Sequence, residues 1–300
     1  MKSKYLYLWV FLLIALPFLT TVTSKSFESD AKEHKNFGWI GNPYWYDGTA
    51  EINFYDAKIS KYGTPREADE LVHILVTEKH KPDQLVKADN WREPGLVDML
   101  KFNYIRTFQT GIYSYREMMS VFFQSGELQL AKLTFSSQEW CGQSFKELVN
   151  FKRKSSYNYN TYWDGQGSGS FDITFPEDLY AYDALPVQLR MLNLLENQKF
   201  EIDLLPTQKS SKAVYPKTEK AIVTVVKSEE ISVSAGNYDC YLVEVSHSAG
   251  NDLFWLEKSF PYRMVKWEAH NTDLYELIDS KKLAYWELNQ PGGEKYLPGK

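Results

Sequence analysis

The fold is decided by residues 221–257, which read AIVTVVKSEEISVSAGNYDCYLVEVSHSAGNDLFWLE. Apolar and β-branched residues alternate there with polar ones over short runs, which is typical of half-buried strands. The turn sequences Ala235-Gly236-Asn237 and Ala249-Gly250-Asn251 separate these runs, so we predict consecutive hairpins. Similar runs before and after this stretch extend the prediction to an antiparallel meander over residues 171–290.

The first half of the chain has the same character. Ala50, Ile52 and Phe54 alternate with polar residues within 49–56, and further strands are predicted over 71–78 and 100–105. The apolar parity switches between Leu130 and Leu133, which indicates one extra residue in a β-bulge. These patterns predict an N-terminal β-rich part over residues 37–164.

A Gly- and Ser-rich segment, residues 164–170, lies between the two parts and is typical of a flexible loop or boundary. The parts form either two domains or one continuous domain. A short helix is predicted over residues 183–193, with Asp183 as its N-cap and a stripe of leucines. The predicted fold is mainly β: an antiparallel curved sheet or open barrel with one or two short helices, followed by a tail over residues 291–300.

Residues 1–24 have the pattern of a secretory signal peptide. Lys2 and Lys4 precede an apolar run, and the small residues Val22-Thr23-Ser24 follow it, so we expect cleavage after Ser24. The alternative is an uncleaved membrane anchor. The signal predicts an exported protein in the periplasm or cell envelope of a Gram-negative bacterium, adjacent to the membrane without spanning it after cleavage.

The composition argues against a nucleic-acid partner. Hydrophobic residues make up 43% of the 300-residue chain, enough for a real core, and the formal net charge of −5 offers no broad basic surface for phosphates. Cys141 and Cys240 would be exported into a compartment where a disulfide persists. Two inert thiols are the alternative to that bridge.

A series of short motifs within residues 44–145 occurs in a characteristic order. It comprises Tyr44-Trp45-Tyr46-Asp47-Gly48-Thr49-Ala50-Glu51, Lys61-Tyr62-Gly63, Val76-Thr77-Glu78, Leu100-Lys101-Phe102-Asn103, Phe108-Gln109-Thr110-Gly111-Ile112-Tyr113 and Ser137-Gln138-Glu139-Trp140-Cys141-Gly142. The series resembles an uncharacterised family of exported bacterial proteins, some of which are mislabelled "septum formation inhibitor Maf". True Maf proteins begin with Ser-x-Ser-Pro-Arg-Arg, whereas Thr64-Pro65-Arg66-Glu67 is the nearest string here.

The C-terminal part resembles a second family, the exported domain family of unknown function DUF3108. The resemblance rests on Ala235-Gly236-Asn237-Tyr238-Asp239-Cys240, Phe254-Trp255-Leu256 and Pro261-Tyr262-Arg263. It implies kinship with envelope β-sheet proteins such as lipoprotein carriers. Cys141 belongs to the pattern of the first family and Cys240 does not, which weakens the case for a defining disulfide.

Charged residues on or beside predicted strands are the candidate ligand-binding residues: Glu51, Glu78, Lys101, Arg106 and Glu139. Ordinary surface residues or structural ion pairs are the alternative explanation. The five histidines show no paired metal-ligand spacing, so we predict no metal site, no cofactor and no identified catalytic residue.

We therefore expect a non-enzymatic envelope protein that binds a lipid or other amphiphile on a concave β-sheet. If the protein's own side chains fill that face, it is only a core. The alternative function is a periplasmic hydrolase of envelope glycans that uses paired carboxylates such as Glu51 and Glu139.

Overall fold

The computed structural model of the chain describes residues 29–152 and 154–299. The predicted signal peptide, residues 1–24, lies outside the described residues. Within them, seventeen strands form one sheet. The strands are β1 (Ser29–Asp30), β2 (Ala50–Lys61), β3 (Thr64–Lys81), β4 (Val86–Lys87), β5 (Val97–Thr110), β6 (Tyr113–Gln124), β7 (Gln129–Glu139), β8 (Gly142–Phe151), β9 (Lys154–Asn160), β10 (Ser168–Asp172), β11 (Leu179–Ala181), β12 (Lys199–Leu205), β13 (Glu219–Val233), β14 (Gly236–His247), β15 (Gly250–Glu257), β16 (Met264–Glu268) and β17 (Leu274–Leu283).

The sheet is a long antiparallel meander. Strands β12 to β17 pair in sequence order, β17 pairs with β2, and the order continues through β3, β5, β6, β7, β8 and β9 to β10. The short strand β4 pairs antiparallel with the end of β3, while β1 and β11 pair in parallel with β12. The sheet is open, which confirms the predicted fold class.

The two predicted parts of the chain are continuous in this sheet. Strands β17 and β2 join them, with Leu274 opposite Lys58. The Gly- and Ser-rich segment forms part of the turn of the β9–β10 hairpin and the start of β10, where Ser168 pairs with Asn160. Glycine and serine suit that turn because it needs left-handed backbone at Gly165 and Gly167.

The predicted β-bulge in β7 is confirmed. Phe122 of β6 pairs with Lys132, whereas the next residue, Phe123, pairs with Leu130, so Ala131 is the extra residue. Ala131 is buried on the other face of the strand, against Val149 and Phe151. Because of the bulge, apolar residues of β7 pack on both faces of the sheet.

The described helices are short. The helix α1 covers Phe37–Ile40 and α2 covers Leu185–Gln188, and 3-10 turns over Tyr182–Ala184 and Leu189–Met191 flank α2. Asp183 does not cap α2, so that prediction is wrong: its carboxylate accepts hydrogen bonds from Gln208 N at 2.6 Å and Thr207 Oγ1 at 2.7 Å. No helix in the described ranges is both long and apolar enough to cross a bilayer.

The main hydrophobic core lies on the face of the sheet that packs against α2. It draws side chains from nearly every strand and from Leu185, Val187 and Leu189 of the helical segment. The protein's own side chains therefore fill this face, which makes it a core. A smaller cluster on the opposite face unites Ile52, Ile74 and their neighbours with Tyr285 near the C-terminus.

The connection between β12 and β13, residues 206–218, crosses the opening of the sheet. Lys146 Nζ of β8 donates to Gln208 O at 2.9 Å, and Gln166 of the β9–β10 turn exchanges two hydrogen bonds of 2.9 Å with the backbone of Ala213. Ser144 donates to Ser211 O nearby. Side-chain contacts thus join the two edges that strand pairing leaves apart.

Cys141 and Cys240 form no disulfide in this structure, which matches the alternative of two separate thiols that the sequence left open. Cys141 is exposed in the β7–β8 turn, whereas Cys240 is buried in β14, and both thiols are free. Burial, with a smaller contribution from Glu257, raises the pKa of the Cys240 thiol to about 12, which makes it an inert thiol.

Candidate functional site

Alternate hairpin turns of an antiparallel sheet lie at the same end. The turns that follow β2, β5, β7, β9, β14 and β16 therefore gather at one end of this sheet, together with residues 206–218. We call this the turn end.

His247, Asp252 and His270 form the most concentrated polar cluster at the turn end. His247 ends β14, Asp252 lies on the adjacent β15, and His270 follows β16. Asp252 Oδ2 lies 2.6 Å from His247 Nε2 and 3.2 Å from His270 Nδ1. One donor atom from each residue lies within 4.8 Å of the other two, so the group is able to hold a metal ion.

The other oxygen of Asp252 is held by a second set of donors. Asp252 Oδ1 accepts from Tyr182 Oη at 2.7 Å, Trp267 Nε1 at 3.1 Å and the His270 backbone at 3.3 Å. Burial alone would raise the pKa of Asp252, but hydrogen bonds from His247, Tyr182 and Trp267 outweigh it and lower that pKa. The cluster therefore contains an ionised carboxylate fixed in one orientation.

Gly250 makes room for His270. A Cβ atom on Gly250 would lie 2.8 Å from His270 Cβ, closer than side chains approach, and the glycine has a left-handed φ of +146°. Only a residue without a side chain suits this position. The β14–β15 turn thus places His247 and Asp252 and also admits the third member of the cluster.

A solvent-open cavity of about 330 Å³ adjoins the cluster. His247, His270 and Tyr182 line one side of it, and Lys217 and Glu219 line another. Glu219 Oε1 lies 4.0 Å from His247 Nδ1. A larger cavity, of about 970 Å³, lies at the opposite end of the sheet between β8 and β10, and its lining mixes apolar with charged groups such as Glu127 and Lys152. It gathers no comparable cluster, so we place the candidate site at the turn end.

The sequence did not predict this cluster, because its histidines lack the paired spacing of helical or zinc-finger metal sites. His247 and Asp252 instead flank the predicted turn Ala249-Gly250-Asn251, and hairpin pairing brings them together. That turn was a usable signal for His247 and Asp252. Nothing in the local sequence links His270 to them, because its proximity depends on the β15–β16 register.

The structure does not gather the five predicted ligand-binding residues. Glu51 is fully buried near the end opposite the turn end, where Arg190 Nη1 donates to its Oε1 at 2.8 Å. Arg106 faces the main core and pairs with Glu117 at 2.5 Å. Glu139 ends β7 at the turn end, beside Tyr115. Glu51 and Glu139 therefore do not form the carboxylate pair that the hydrolase hypothesis requires.

Glu78 and Lys101 lie on the opposite face of the sheet from Arg106. Lys101 Nζ donates to Glu78 Oε1 at 2.6 Å, and His80 Nε2 lies 3.3 Å from the other oxygen. Burial alone would raise the pKa of Glu78, but His80 and Lys101 lower it to about 2. The group is a structural ion pair, which was the alternative explanation considered for these residues.

This depressed pKa predicts acid sensitivity. Because the folded-state pKa lies below that of the unfolded chain, Glu78 stabilises the fold above about pH 4.5, and this contribution disappears as the pH falls toward 2. Glu78→Gln is therefore expected to lower the free energy of unfolding at pH 7 by about 2 kcal/mol, and by much less at pH 3. Urea unfolding at both pH values measures the difference. An equal loss at both would contradict the prediction.

Exposed aromatic and apolar side chains form a row along the turn end. Tyr62, Ile112, Trp140 and Tyr162, one from each of four successive turns, are 66% to 84% exposed. We call these four residues the aromatic rim. Tyr113 connects the first three turns, because its hydroxyl lies 3.3 Å from that of Tyr62 and its ring centre lies 6.1 Å from that of Trp140.

Two cations lie behind the rim. Lys61 Nζ lies 4.5 Å from the ring centre of Tyr115, and Lys212 Nζ lies 5.1 Å from that of Trp163. Tyr162 packs closely on Gly142, directly after the β7–β8 turn. Three of the four rim side chains thus contact neighbouring groups: Tyr62 and Trp140 contact Tyr113, and Tyr162 packs on Gly142.

Comparison with solved structures finds two similar chains. One is a beta-barrel-like protein of the domain of unknown function DUF1849 from Brucella abortus, with 7% identity and a TM-score of 0.44, covering 79% of this chain and 98% of that one. The other is a DUF1089 family protein from Pseudomonas aeruginosa, with 15% identity and a TM-score of 0.35, covering 60% of this chain and 93% of that one. The search of curated proteins gives no match.

A family model gives a more direct result. The match covers residues 129–270, from the first residues of β7 to the last histidine of the cluster. It begins well before residue 171, where the sequence analysis placed the start of the related part. The C-terminal part of the chain, residues 129–270, thus matches the family described as "Protein of unknown function (DUF3108)", as the resemblance predicted.

Proposed function

We propose that this is an exported, non-enzymatic protein of the bacterial envelope that binds the interface of a lipid membrane through the aromatic rim. The observation that carries the proposal is the concentration of Tyr62, Ile112, Trp140 and Tyr162 at one end of the sheet. Side chains of the main core cover the face of the sheet that packs against α2, where we expected the amphiphile. In this proposal the amphiphile therefore binds at the turn end and not on the face of the sheet.

The chemistry of the rim suits a membrane interface. Tyrosine and tryptophan rings have an apolar body and a polar tip, so they prefer the headgroup region, and isoleucine adds apolar area. Lys61 and Lys212 would meet lipid phosphates once the rings insert. Glu139 and Asp164 lie in the same turns. We therefore expect apolar insertion, rather than net charge, to supply most of the binding free energy.

Trp140→Ala tests the proposal. Partial burial of one tryptophan in the interface contributes roughly 1 to 2 kcal/mol, so the variant is expected to bind about 5- to 30-fold more weakly. The measurement is sedimentation with vesicles of phosphatidylethanolamine and phosphatidylglycerol at two salt concentrations. Trp91→Ala is the matched control, because Trp91 is 61% exposed near the end of the sheet opposite the turn end.

Two results would count against lipid binding. The first is a wild-type protein that stays in the supernatant, and the second is an equal loss for Trp140→Ala and Trp91→Ala. Sedimentation with purified peptidoglycan but not with vesicles would replace the lipid by a glycan as the partner. Cell fractionation and sequencing of the mature N-terminus test export separately, with Lys25 expected as the first residue after cleavage.

A further inference from the structure

We propose that His247, Asp252 and His270 bind one divalent transition-metal ion of the zinc class. The inference is independent of lipid binding, since none of the three residues belongs to the aromatic rim. Two imidazoles and one carboxylate are ligands that zinc accepts at neutral pH. A set of two histidines and one carboxylate leaves at least one coordination position open.

The donor atoms of His247, Asp252 and His270 lie close enough together for a metal ion to replace the hydrogen bonds between them. The three donor atoms already lie within 4.8 Å of one another. Zinc bonds of about 2.0 to 2.2 Å in tetrahedral geometry separate ligand atoms by roughly 3.4 Å. The pair His270 Nδ1 and Asp252 Oδ2, at 3.2 Å, already has this spacing, and His247 Nε2 must withdraw from its 2.6 Å contact.

The proton balance is local. When the metal takes His247 Nε2 and His270 Nδ1, a proton on either atom moves to the other nitrogen of the same ring, His247 Nδ1 or His270 Nε2. A protonated His247 Nδ1 gives up the hydrogen bond that it accepts from Ala249 N at 3.3 Å. Glu219 Oε1 lies 4.0 Å from Nδ1, so its side chain must approach by about 1 Å to accept a hydrogen bond from that N–H group. A carboxylate beyond the imidazole fixes the tautomer and makes the ring a better ligand.

Hydrogen bonds already hold the Asp252 carboxylate in the orientation that a metal ligand needs. Tyr182 and Trp267 bind Asp252 Oδ1, so that Oδ2 is the oxygen turned toward both histidines. A buried carboxylate that served stability alone would be satisfied by these donors with one histidine. The second histidine is admitted only because Gly250 has no side chain, so the backbone is shaped to include it.

The cavity of about 330 Å³ supplies an entry path and room for water at the open position. His270 is the more exposed ligand, with 21% of its side chain accessible, while Asp252 is inaccessible. An ion therefore enters past His270 from the turn end. Lys217 and Glu219 line the same cavity, and the opposite charges would orient water on the ion.

The experiment uses the protein purified from a bacterial envelope after expression of the full chain, with bound metal removed by a chelator. Zn²⁺ is titrated by calorimetry, and Co²⁺ is added separately to record the visible spectrum of a low-coordinate site. We expect one ion per chain and a Tm that rises with Zn²⁺ concentration. His270→Ala should weaken binding on the order of 100-fold, so the same rise in Tm should require roughly 100-fold more Zn²⁺.

His34→Ala is the matched control, because it removes an imidazole at the opposite end of the sheet, where His34 contacts Gln198 and Phe200. It should bind Zn²⁺ like the wild type. His270 is chosen over the buried Asp252 so that the variant folds, which its urea unfolding curve checks. A wild type that binds no Zn²⁺, or a folded His270→Ala variant that binds as tightly as the wild type, would overturn the proposal.

Discussion

Arg190→Ala is expected to lower the free energy of unfolding by roughly 3 to 5 kcal/mol, the usual effect of removing one partner of a buried ion pair. Arg190 and Glu51 are 2% and 0% accessible at their side chains. Their two contacts, Nη1 to Oε1 at 2.8 Å and Nη2 to Oε2 at 3.0 Å, form a bidentate pair. The variant leaves Glu51 buried without its counter-charge.

The other contacts of Arg190 add to the loss of stability in this variant. Burial alone would raise the pKa of Glu51, and the charge of Arg190 is the main factor that lowers it. Arg190 also donates from Nε and Nη2 to Pro261 O, and its Cζ lies 5.5 Å and 5.7 Å from the ring centres of Trp39 and Trp45. Removing the guanidinium therefore breaks the connection between the helical segment, β2 and the β15–β16 loop.

Urea unfolding measures the effect, with two comparison variants. Lys220→Ala removes an exposed cation that contacts Glu201 and Asp203, and it should cost less than about 1 kcal/mol. The double variant Glu51→Leu with Arg190→Met should recover most of the lost stability, because apolar side chains of similar size need no counter-charge. An Arg190→Ala variant no less stable than Lys220→Ala would contradict this account of the pair.

Much of the fold followed from sequence because the sheet is built from local hairpins. Period-2 alternation located most strands, and the Ala131 bulge was visible as a switch in parity. Two features escaped prediction because they depend on distant contacts. The pairing of β17 with β2 joins the two parts of the chain, and Asp183 is drawn to Gln208 N instead of capping a helix.

The predicted site residues were charged residues on or beside predicted strands, and such residues meet only when the register and the face of the sheet bring them together. Glu78 and Lys101 face one side of the sheet, and Arg106, five residues after Lys101, faces the other. The histidine cluster was missed for the converse reason. His247 and His270 are 23 positions apart in the sequence, and only the meander brings both to Asp252.

Gly250→Ala is expected to lower the free energy of unfolding by about 3 kcal/mol. Two costs combine: the left-handed φ of +146° strains an alanine, and the new Cβ would lie 2.8 Å from His270 Cβ. Thermal and urea unfolding measure the sum. Because His270 must move away from Asp252, the variant should also bind Zn²⁺ more weakly than the wild type.

Gly236→Ala separates the two costs. Gly236 begins β14 as Gly250 begins β15, its φ of +135° is similar, and the nearest atom to a new Cβ would be Tyr238 Cε2 at 3.9 Å. This variant carries the backbone strain without the collision, so it should lose roughly 1 to 2 kcal/mol and keep full Zn²⁺ affinity. Equal losses for the two variants would mean that His270 moves aside freely. The position of His270 would then not depend on the absence of a side chain at Gly250.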